Sequence, residues 1–353
     1  MDLTKIRQQI DIIDAELVHL ITRRMEYAIR TKRFKSEVED SSREVQVLNR
    51  INNISNALVK SDFSQRLFKN ILEESRRLQS LQTPLVAFHG EHGAYAESAL
   101  AALDSTWIGI PHRELSAIVD GVETGAVDYG ILPIENAVEG AEQEVQDLLI
   151  ESNLKIIAEI KAPVHHALMT THETDYRDIK EVFSHPRALS QCRGFLKRNR
   201  LEGKAYYDSA GAALMLLRDR PSSAAVICSV SCAQLYDLEI LKEGIQDFGN
   251  NATRYIVVGK ASSHENGSKC SVVFVTPHRA GALLEALSIF SKASINLTRI
   301  ESRPLRKDPT QVAFLLDFSG SENDSKIQGA LSELEKHSLS FRFLGCYREL
   351  EVL

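Results

Sequence analysis

Residues 1–82 contain neither glycine nor proline. Without the two residues that most favour turns, this stretch has little means of building hairpins, and long helices remain. The whole chain lacks an apolar run long enough to span a bilayer, so no membrane is expected as a partner. Its opening Met1-Asp2-Leu3-Thr4-Lys5 has none of the character of a secretion signal. The five cysteines (192, 228, 232, 270 and 346) form no Cys-x-x-Cys pair, which argues for buried thiols in a reducing cytoplasm. Cys228 and Cys232, four residues apart, are expected on one helical face. There is no basic patch with interleaved aromatics, so nucleic acid is not an expected partner either. Charge is uneven. Residues 1–82 hold 15 Lys+Arg against 12 Asp+Glu, or +3, which leaves −9 for the rest of a chain whose total is −6. That small excess suits a multiply anionic small ligand in the first segment.

At 353 residues, 43% of them hydrophobic and 25% charged, the chain exceeds one ordinary core, and two or three domains are expected. In residues 1–82 the apolar positions recur at helical spacing: Ile6, Ile10, Ile13, Leu17, Leu20 and Ile21, then Val47, Leu48, Ile51, Ile54 and Leu58, then Leu67, Phe68, Ile71, Leu72 and Leu78. Asp40-Ser41-Ser42 and Ser61-Asp62 read as helix starts. Three such helices make a thin core, and pairing with a second copy is expected. From Leu85 to about Ala261 short apolar runs alternate with amphipathic stretches. Leu85–Phe88, Tyr129–Leu132, Leu154–Ile157, Glu181–Phe183, Lys204–Tyr207, Ala224–Cys228 and Arg254–Val258 read as strands of a two-lobed α/β layer structure with a cleft. Ser262 to Ser268 reads as a linker. The remainder reads strand, helix, strand, strand, helix, strand, a ferredoxin-like α+β pattern. The expected domains are 1–82, 84–261 and 268–353.

Polar residues interrupt these patterns in informative places. Continuing the three helical stripes by threes and fours lands on Arg24, Ala28 and Lys35, on Glu44, and on Ser75 and Gln79. One such residue is most simply a helix end carrying its side chain to water. On all three helices together they suggest a buried pocket with two cations, a carboxyl and neutral donors. In the middle segment, Thr253-Arg254-Tyr255 puts a hydroxyl and a guanidinium at the head of an apolar strand. An Arg there is costly unless something anionic meets it. Leu132-Pro-Ile-Glu-Asn136, Ser184-His-Pro186 with Gln191-Cys192, and Ile300-Glu-Ser-Arg-Pro304 accompany it along the chain. His165-His166 is a poor metal site, because adjacent strand residues point to opposite faces. His185, before a Pro, is placed to cap a helix, and Glu135 to hold a neighbouring loop.

Residues Ile6-Arg7-Gln-Gln-Ile10-Asp11-Ile-Ile-Asp14 and Ser42-Arg43-Glu44 with Val47-Leu48 resemble the all-helical chorismate mutase family. The resemblance implies that Arg24, and Arg7 reaching in from a partner chain, hold the two carboxylates of chorismate. Lys35 and Gln79 then bond the ether oxygen, while Asp40, Glu44 and Ser75 orient the ring. A unimolecular rearrangement needs positioning and stabilised oxygen charge rather than a nucleophile. The Lys35–Glu44 loop is shorter than is usual in that family, which bears on Asp40. The middle segment is similar to prephenate dehydratases through Leu132–Asn136, Val164-His165-His166-Ala-Leu168, Ser184–Pro186, Gln191-Cys192 and Thr253–Tyr255. By that resemblance Arg254 is the cation for substrate carboxylates, Thr253 donates to the leaving hydroxyl, and Asn136, Ser184 and Gln191 complete the donor ring. The loop Gly90-Glu91-His92-Gly93-Ala94-Tyr95-Ala96 departs from the family: its glycines and Tyr95 remain, its Pro and two hydroxyls do not, and this bears on prephenate against arogenate. Its Gly-x-x-Gly still offers backbone donors to an anion. Tyr255 stands where Phe is commoner.

The last segment resembles an ACT regulatory domain through Ala280-Gly281-Ala282-Leu283-Leu284, Asn296-Leu-Thr298 and Glu301-Ser302-Arg303-Pro304. This implies L-phenylalanine bound between paired domains, near Gly281, Ala282, Leu283 and Asn296, with Glu301, Ser302, Arg303 and Pro304 supporting the interface. A purely structural cap shares the same pattern. Together the resemblances imply a bifunctional chorismate mutase–prephenate dehydratase that makes phenylpyruvate, is inhibited by phenylalanine, uses no cofactor or metal, and forms a homodimer or larger homo-oligomer. Two alternatives stay open at this level: a non-catalytic amino-acid sensor, and a decarboxylase that leaves the ring hydroxyl in place.

Overall fold

The structure, a computed structural model, describes residues 3–35, 39–54, 57–262 and 267–352. Its contacts divide the chain into two units, Met1–Thr83 and Pro84–Leu353.

The first unit consists of helices α1 (Leu3–Thr31), α2 (Ser41–Asn53) and α3 (Ser61–Ser80). Each forms where the 3.6-residue apolar period runs uninterrupted, and α2 begins where the Asp40 carboxylate accepts the Arg43 amide at 2.9 Å. The core is thin, as expected: among the described residues its buried apolar side chains are Ile29 and Ile71. The stripe on the first half of α1 faces outward, with Ile10, Ile13 and Leu17 all at least 50% exposed.

The second unit runs β1 (Leu85–His89), α4 (Tyr95–Leu103), β2 (Ile108–His112), α5 (Leu115–Thr124), β3 (Tyr129–Asn136), β4 (Gly140–Ala141), α6 (Gln143–Glu151) and β5 (Lys155–Pro163) through one lobe. It continues through β6 (Ala167–Thr170), β7 (Glu181–Ser184), α7 (Pro186–Gln191), α8 (Arg193–Asn199), β8 (Glu202–Ala205), α9 (Ser209–Asp219), β9 (Ala224–Cys228), α10 (Ser231–Leu235) and β10 (Glu239–Glu243) in a second. It then returns to the first lobe as β11 (Ala252–Gly259). The first lobe's strands lie in the order β5-β11-β3-β1-β2, the second's in the order β10-β6-β9-β7-β8. Strands buried on both faces explain the continuous apolar runs: all five residues of β9 are buried. The chain closes with β12 (Lys269–Val275), α11 (Ala282–Lys292), β13 (Leu297–Leu305), β14 (Asp308–Ser319), α12 (Ser325–His337) and β15 (Ser340–Glu351), in the sheet order β13-β14-β12-β15.

Four differences from the sequence expectation have physical reasons. β15 outruns its partner β12, and Arg348–Glu351 pair in parallel with Ala158–Lys161 of β5, so one ten-stranded sheet joins the segments expected as separate domains. Pairing there covers the outer edge of β5. The expected linker lies partly outside the described residues, and its end is packed, with the Ser268 amide bonded to Tyr347 O at 3.1 Å. The strand expected at Lys204–Tyr207 runs two residues earlier, because Tyr207 and Asp208 lead into α9. Cys228 and Cys232 do not share a helix: Cys228 ends β9 and Cys232 lies in α10. No helix among the described residues is long and apolar enough to cross a membrane.

Candidate active sites

In the helical unit Arg24, Ser75 and Gln79 are turned inward, whereas Lys35 lies past the helix in extended backbone and is exposed. Arg24 Nη1 donates to Ser75 Oγ at 2.7 Å, and Gln79 Nε2 donates to Ala28 O at 2.6 Å and to Thr31 Oγ1 at 3.0 Å. Ser75 and Gln79 are buried, and burial pulls the Arg24 guanidinium below its ordinary pKa. Glu44 accepts from Arg76 Nη1 at 2.8 and 2.9 Å. Arg76 was missed from the sequence, although Leu72 continued by four lands on it. Asp40 caps α2: its carboxylate accepts from the Arg43 amide and Ser42 Oγ, each at 2.9 Å, with Lys35 Nζ 3.7 Å away. Part of the Lys35–Glu44 loop, residues 36–38, lies outside the described residues. Arg7 is exposed on the same helix as Arg24. Seventeen residues of helix separate the two by about 25 Å, so one chain cannot bring both to one small ligand.

The larger cavity, of about 320 Å³, lies between the two α/β lobes. Register builds its floor. Thr253 on β11 pairs across with Asn136 on β3, and a bulge follows, with Arg254 opposite Glu135 and Tyr255 opposite Pro133. The extra residue in β3 lets Asn136 and Pro133 both meet the face that carries Thr253 and Tyr255. All four line the cavity. Asn136 Nδ2 donates to Thr253 Oγ1 at 3.0 Å, which leaves the hydroxyl's own proton to the neighbouring Tyr255 oxygen or to a ligand.

A chain of hydrogen bonds holds this pair. Asn136 Nδ2 also donates to Asn251 Oδ1 at 2.9 Å, and Asn251 Nδ2 donates to Gln191 Oε1 at 2.9 Å. His166 Nε2 meets the same Gln191 oxygen at 2.8 Å, and its Nδ1 lies 2.6 Å from the Tyr95 hydroxyl. An amide oxygen only accepts, so His166 carries a proton on Nε2; in the neutral ring that burial favours, Nδ1 accepts from the Tyr95 hydroxyl, which also lies 3.0 Å from His165 O. Burial lowers the His166 pKa, against the opposing effect of Gln191. Gln191 Nε2 donates across the cleft to Glu139 at 2.9 Å. Gln191 therefore lines the cavity with its oxygen and one of its two amide donors engaged. His185 caps α7, its Nδ1 accepting the Arg187 amide at 3.2 Å.

Two expected residues stand elsewhere. Ser184 is wholly buried behind the cavity wall, bonded to Ile227 O and, at 3.0 Å, to Ser209 Oγ; Ser209 is the serine that lines the cavity. Arg254 does not line it. Strand alternation sends its guanidinium to the opposite face from Thr253 and Tyr255. There it meets Glu135 at 3.1 Å, Glu159 at 2.9 Å and Asp317 of β14. Burial alone would lower its pKa, but Asp317 and Glu159 outweigh that and hold it well above its ordinary value. The anion expected beside Arg254 is thus the protein's own.

Other groups in the cavity can donate to an anion, set against the Asp208 carboxylate that caps α9 and lines the same space. Tyr95 and Ala96 open α4, and Ser209 and Ala210 open α9; all four line the cavity, and first-turn amides have no acceptor within their own helix. The glycine loop contributes less than expected, because Gly93 N donates to Glu97 at 2.6 Å and Gly90 N to His112 O at 2.9 Å. Arg187 lines the cavity from the first turn of α7 and pairs with Glu142 and with Glu139 (3.1 Å) on the facing lobe. Its signal in the sequence was its place directly after Ser184-His-Pro186. No group of three metal-ligating side chains occurs among the described residues.

A smaller cavity of about 180 Å³ sits in the C-terminal segment beside the start of α11. Ala282 and Leu283 line it, joined by His278 and Arg279 before the helix and by Gln311, Val312 and Phe314 on β14. Gly281 caps α11 in the left-handed region at φ 83°, with open space where a Cβ would be. Asn296 and Glu301 to Pro304 are not part of this lining. Arg303 instead grips Asp147 of α6 at 2.7 and 2.9 Å.

The chain matches the family model of prephenate dehydratase over residues 86–263 and that of chorismate mutase type II over residues 6–80. The bifunctional chorismate mutase/prephenate dehydratase of Aquifex aeolicus (strain VF5) is 32% identical over 358 residues, 98% of each chain. The chloroplastic arogenate dehydratase/prephenate dehydratase 2 of Arabidopsis thaliana is 36% identical over 274 residues, 74% of this chain and 72% of that one. Among solved structures, a prephenate dehydratase from Arthrobacter aurescens in complex with L-Phe is 31% identical with a TM-score of 0.70, over 75% of this chain and 89% of that one. With mutase helices and dehydratase lobes both matched, and a relative aligned from end to end, the chain belongs to the bifunctional chorismate mutase/prephenate dehydratases and carries both activities.

Proposed function

We propose that the interlobe cavity dehydrates prephenate with Thr253 as the donor to the leaving hydroxyl. The observation that carries this is the Thr253–Asn136 pair, facing the same space as the first turns of α4 and α9. The first-turn amides and Arg187 would hold the carboxylates of the dianion. As the ring carboxylate leaves as carbon dioxide, its bonding electrons enter the ring and expel the hydroxide at the opposite position. Thr253 donates to that oxygen as charge develops, and Asn136, Asn251 and Gln191 hold the donor still. Arg254 acts on this reaction from behind the strand.

In the mutase, Arg24, Lys35, Glu44, Ser75 and Gln79 of one chain and Arg7 of a second complete one site, which makes the working form a homodimer or larger. The exposed stripe on α1 supports this. The segments 1–82, 84–261 and 268–353 remain the functional parts, with phenylalanine as the ligand of the smaller cavity in paired C-terminal segments. The L-Phe bound to the Arthrobacter relative supports that assignment. Five buried free thiols suit a reducing cytoplasm. Ala94 and Ala96 give the cavity methyl groups on one side; prephenate against arogenate is decided by supplying each.

The test is purified protein supplied with chorismate or prephenate, with and without phenylalanine. Phenylpyruvate from either substrate, suppressed by phenylalanine, is the expected outcome. A product that keeps its ring hydroxyl would overturn the assignment of the cavity.

A further inference from the structure

Arg254 sits between Thr253 and Tyr255 on β11, and both neighbours face the catalytic cavity while it faces away. Its partner Asp317 belongs to β14, the strand whose residues Gln311, Val312 and Phe314 line the smaller cavity. Only two residues of one strand, Leu315 and Leu316, separate Phe314 from Asp317. The junction is closed to water: Asp317 is 3% exposed, and its second oxygen accepts Ser271 Oγ at 2.6 Å. Ser271 in turn meets the Tyr347 hydroxyl at 2.6 Å, and the other buried carboxylate on Arg254, Glu159, accepts from Lys269 at 2.7 Å. Displacing β14 therefore cannot leave Arg254 where it is without breaking a buried charge pair, which is unfavourable: Arg254 would keep Glu135 and Glu159, but Asp317 would be left to Arg299 at 3.8 Å.

We propose that Asp317 is a positioning residue for the dehydratase: through Arg254 it transmits occupancy of the smaller cavity to the Thr253–Asn136 donor pair. The inference rests on phenylalanine as the ligand of that cavity, and it adds the route. A ligand against Gln311, Val312 and Phe314 shifts β14; Asp317 moves with it; Arg254 follows; and the strand carrying Thr253 changes its alignment with Asn136. A second ionic clamp joins the same segments, Arg303 and Arg306 on Asp147 of α6, at 2.7 and 3.1 Å. It holds the C-terminal segment in place without touching β11, and so serves as the control.

The experiment uses the full chain, with phenylalanine binding followed by calorimetry and dehydratase inhibition followed separately. Asp317→Asn is expected to bind phenylalanine nearly as the unaltered chain does, while the inhibition it produces weakens by roughly tenfold, within the usual range of coupling between sites. Mutase turnover stays unchanged, and Asp147→Asn remains inhibitable. By linkage, a prephenate analogue should lower phenylalanine affinity in the unaltered chain and lose that effect in Asp317→Asn. Should Asp317→Asn fail to fold, Ser271→Ala removes one bond from Asp317 without leaving a charge. In addition, phenylalanine should alter hydrogen exchange at Ala252–Gly259 in the unaltered chain. Full inhibition of Asp317→Asn, equal loss in Asp147→Asn, or no exchange change along β11 would each overturn the route. An unaltered chain that binds no phenylalanine overturns the ligand assignment and the route with it.

Discussion

The helical unit and the α/β body solve the same problem, holding a small dianion away from water, with opposite means. In the helices Ile29 and Ile71 alone are buried apolar residues among those described, the α1 stripe faces outward, and Arg7 is a long way along the helix from Arg24. In the body, strands such as β9 are buried on both faces, and the donor pair is assembled from neighbouring strands of one chain. A site built on register is complete in one copy. A site that needs both Arg7 and Arg24 of so long a helix, as proposed above, requires two copies. The difference predicts that the two activities fail for different reasons and fail separately.

The sharpest break in this comparison is Thr253→Ala. Losing a preorganised donor to developing oxygen charge costs roughly 10²–10³ in rate, and mutase turnover in the same preparation should not change. Equal loss of both activities, in a protein that still melts cooperatively, would remove the claim of independence. Next in size is Ile13→Asp on α1. A dimer buries the residue twice, so about 3–6 kcal/mol is at stake from apolar burial alone, or roughly 10²–10⁴ in the dissociation constant. Mutase activity should fall by about a hundredfold at dilute protein with a smaller particle by light scattering, while dehydratase activity persists if the body stands alone as described. A monomer with full mutase activity would show that Arg7 is dispensable.

The same contrast explains what the sequence made legible. Helical stripes are read residue by residue, so Arg24, Ser75 and Gln79 could be placed on the inward faces from period alone, and Arg76 was within reach of the same rule. The donor pair was legible too, because Asn136 closes one short motif and Thr253 opens another. What could not be read was which face of β11 each residue takes, since alternation gives parity but not the direction of the cavity. Arg254 was therefore assigned a substrate carboxylate when the carboxylates it meets come from Glu135, Glu159 and β14. Long-range pairing was equally hidden. Nothing in the local pattern of Arg348–Glu351 announces β5 as its neighbour, and Ser209, which displaces Ser184 from the cavity, adjoins it only through the fold.

With Arg254 turned away, Arg187 and Arg113 are the arginines that line the cavity, and Arg187→Gln sharpens the account of the body. It keeps a polar side chain but removes the charge and frees Glu142 and Glu139 on the facing lobe. An exposed, partly screened pairing is worth about 1 kcal/mol at most, and a charge-assisted bond to a bound carboxylate roughly twice that of a neutral one. The expected outcome is a KM for prephenate raised by about tenfold with kcat much less affected, the signature of lost ground-state binding. An unchanged KM would return the carboxylate to the helix amides alone.

The smallest effect is on pH, and it also separates the two regions. Burial lowers the His166 pKa from 6.5, so as acid is added the unfolded chain takes up this proton before the folded one does. The folded state therefore loses stability as pH falls below about 6.5 toward the depressed value, and is relatively favoured above it. Protonation also removes the Nδ1 lone pair that accepts from Tyr95, at the far end of the hydrogen-bond chain to Thr253. Dehydratase kcat should decline on the acid side while the mutase, whose candidate residues include no histidine, does not follow it. His166→Gln cannot titrate and should flatten that limb. If the limb stays where it was, the proton belongs to a different group, and the hydrogen-bond chain from His166 to the catalytic hydroxyl does not govern the reaction.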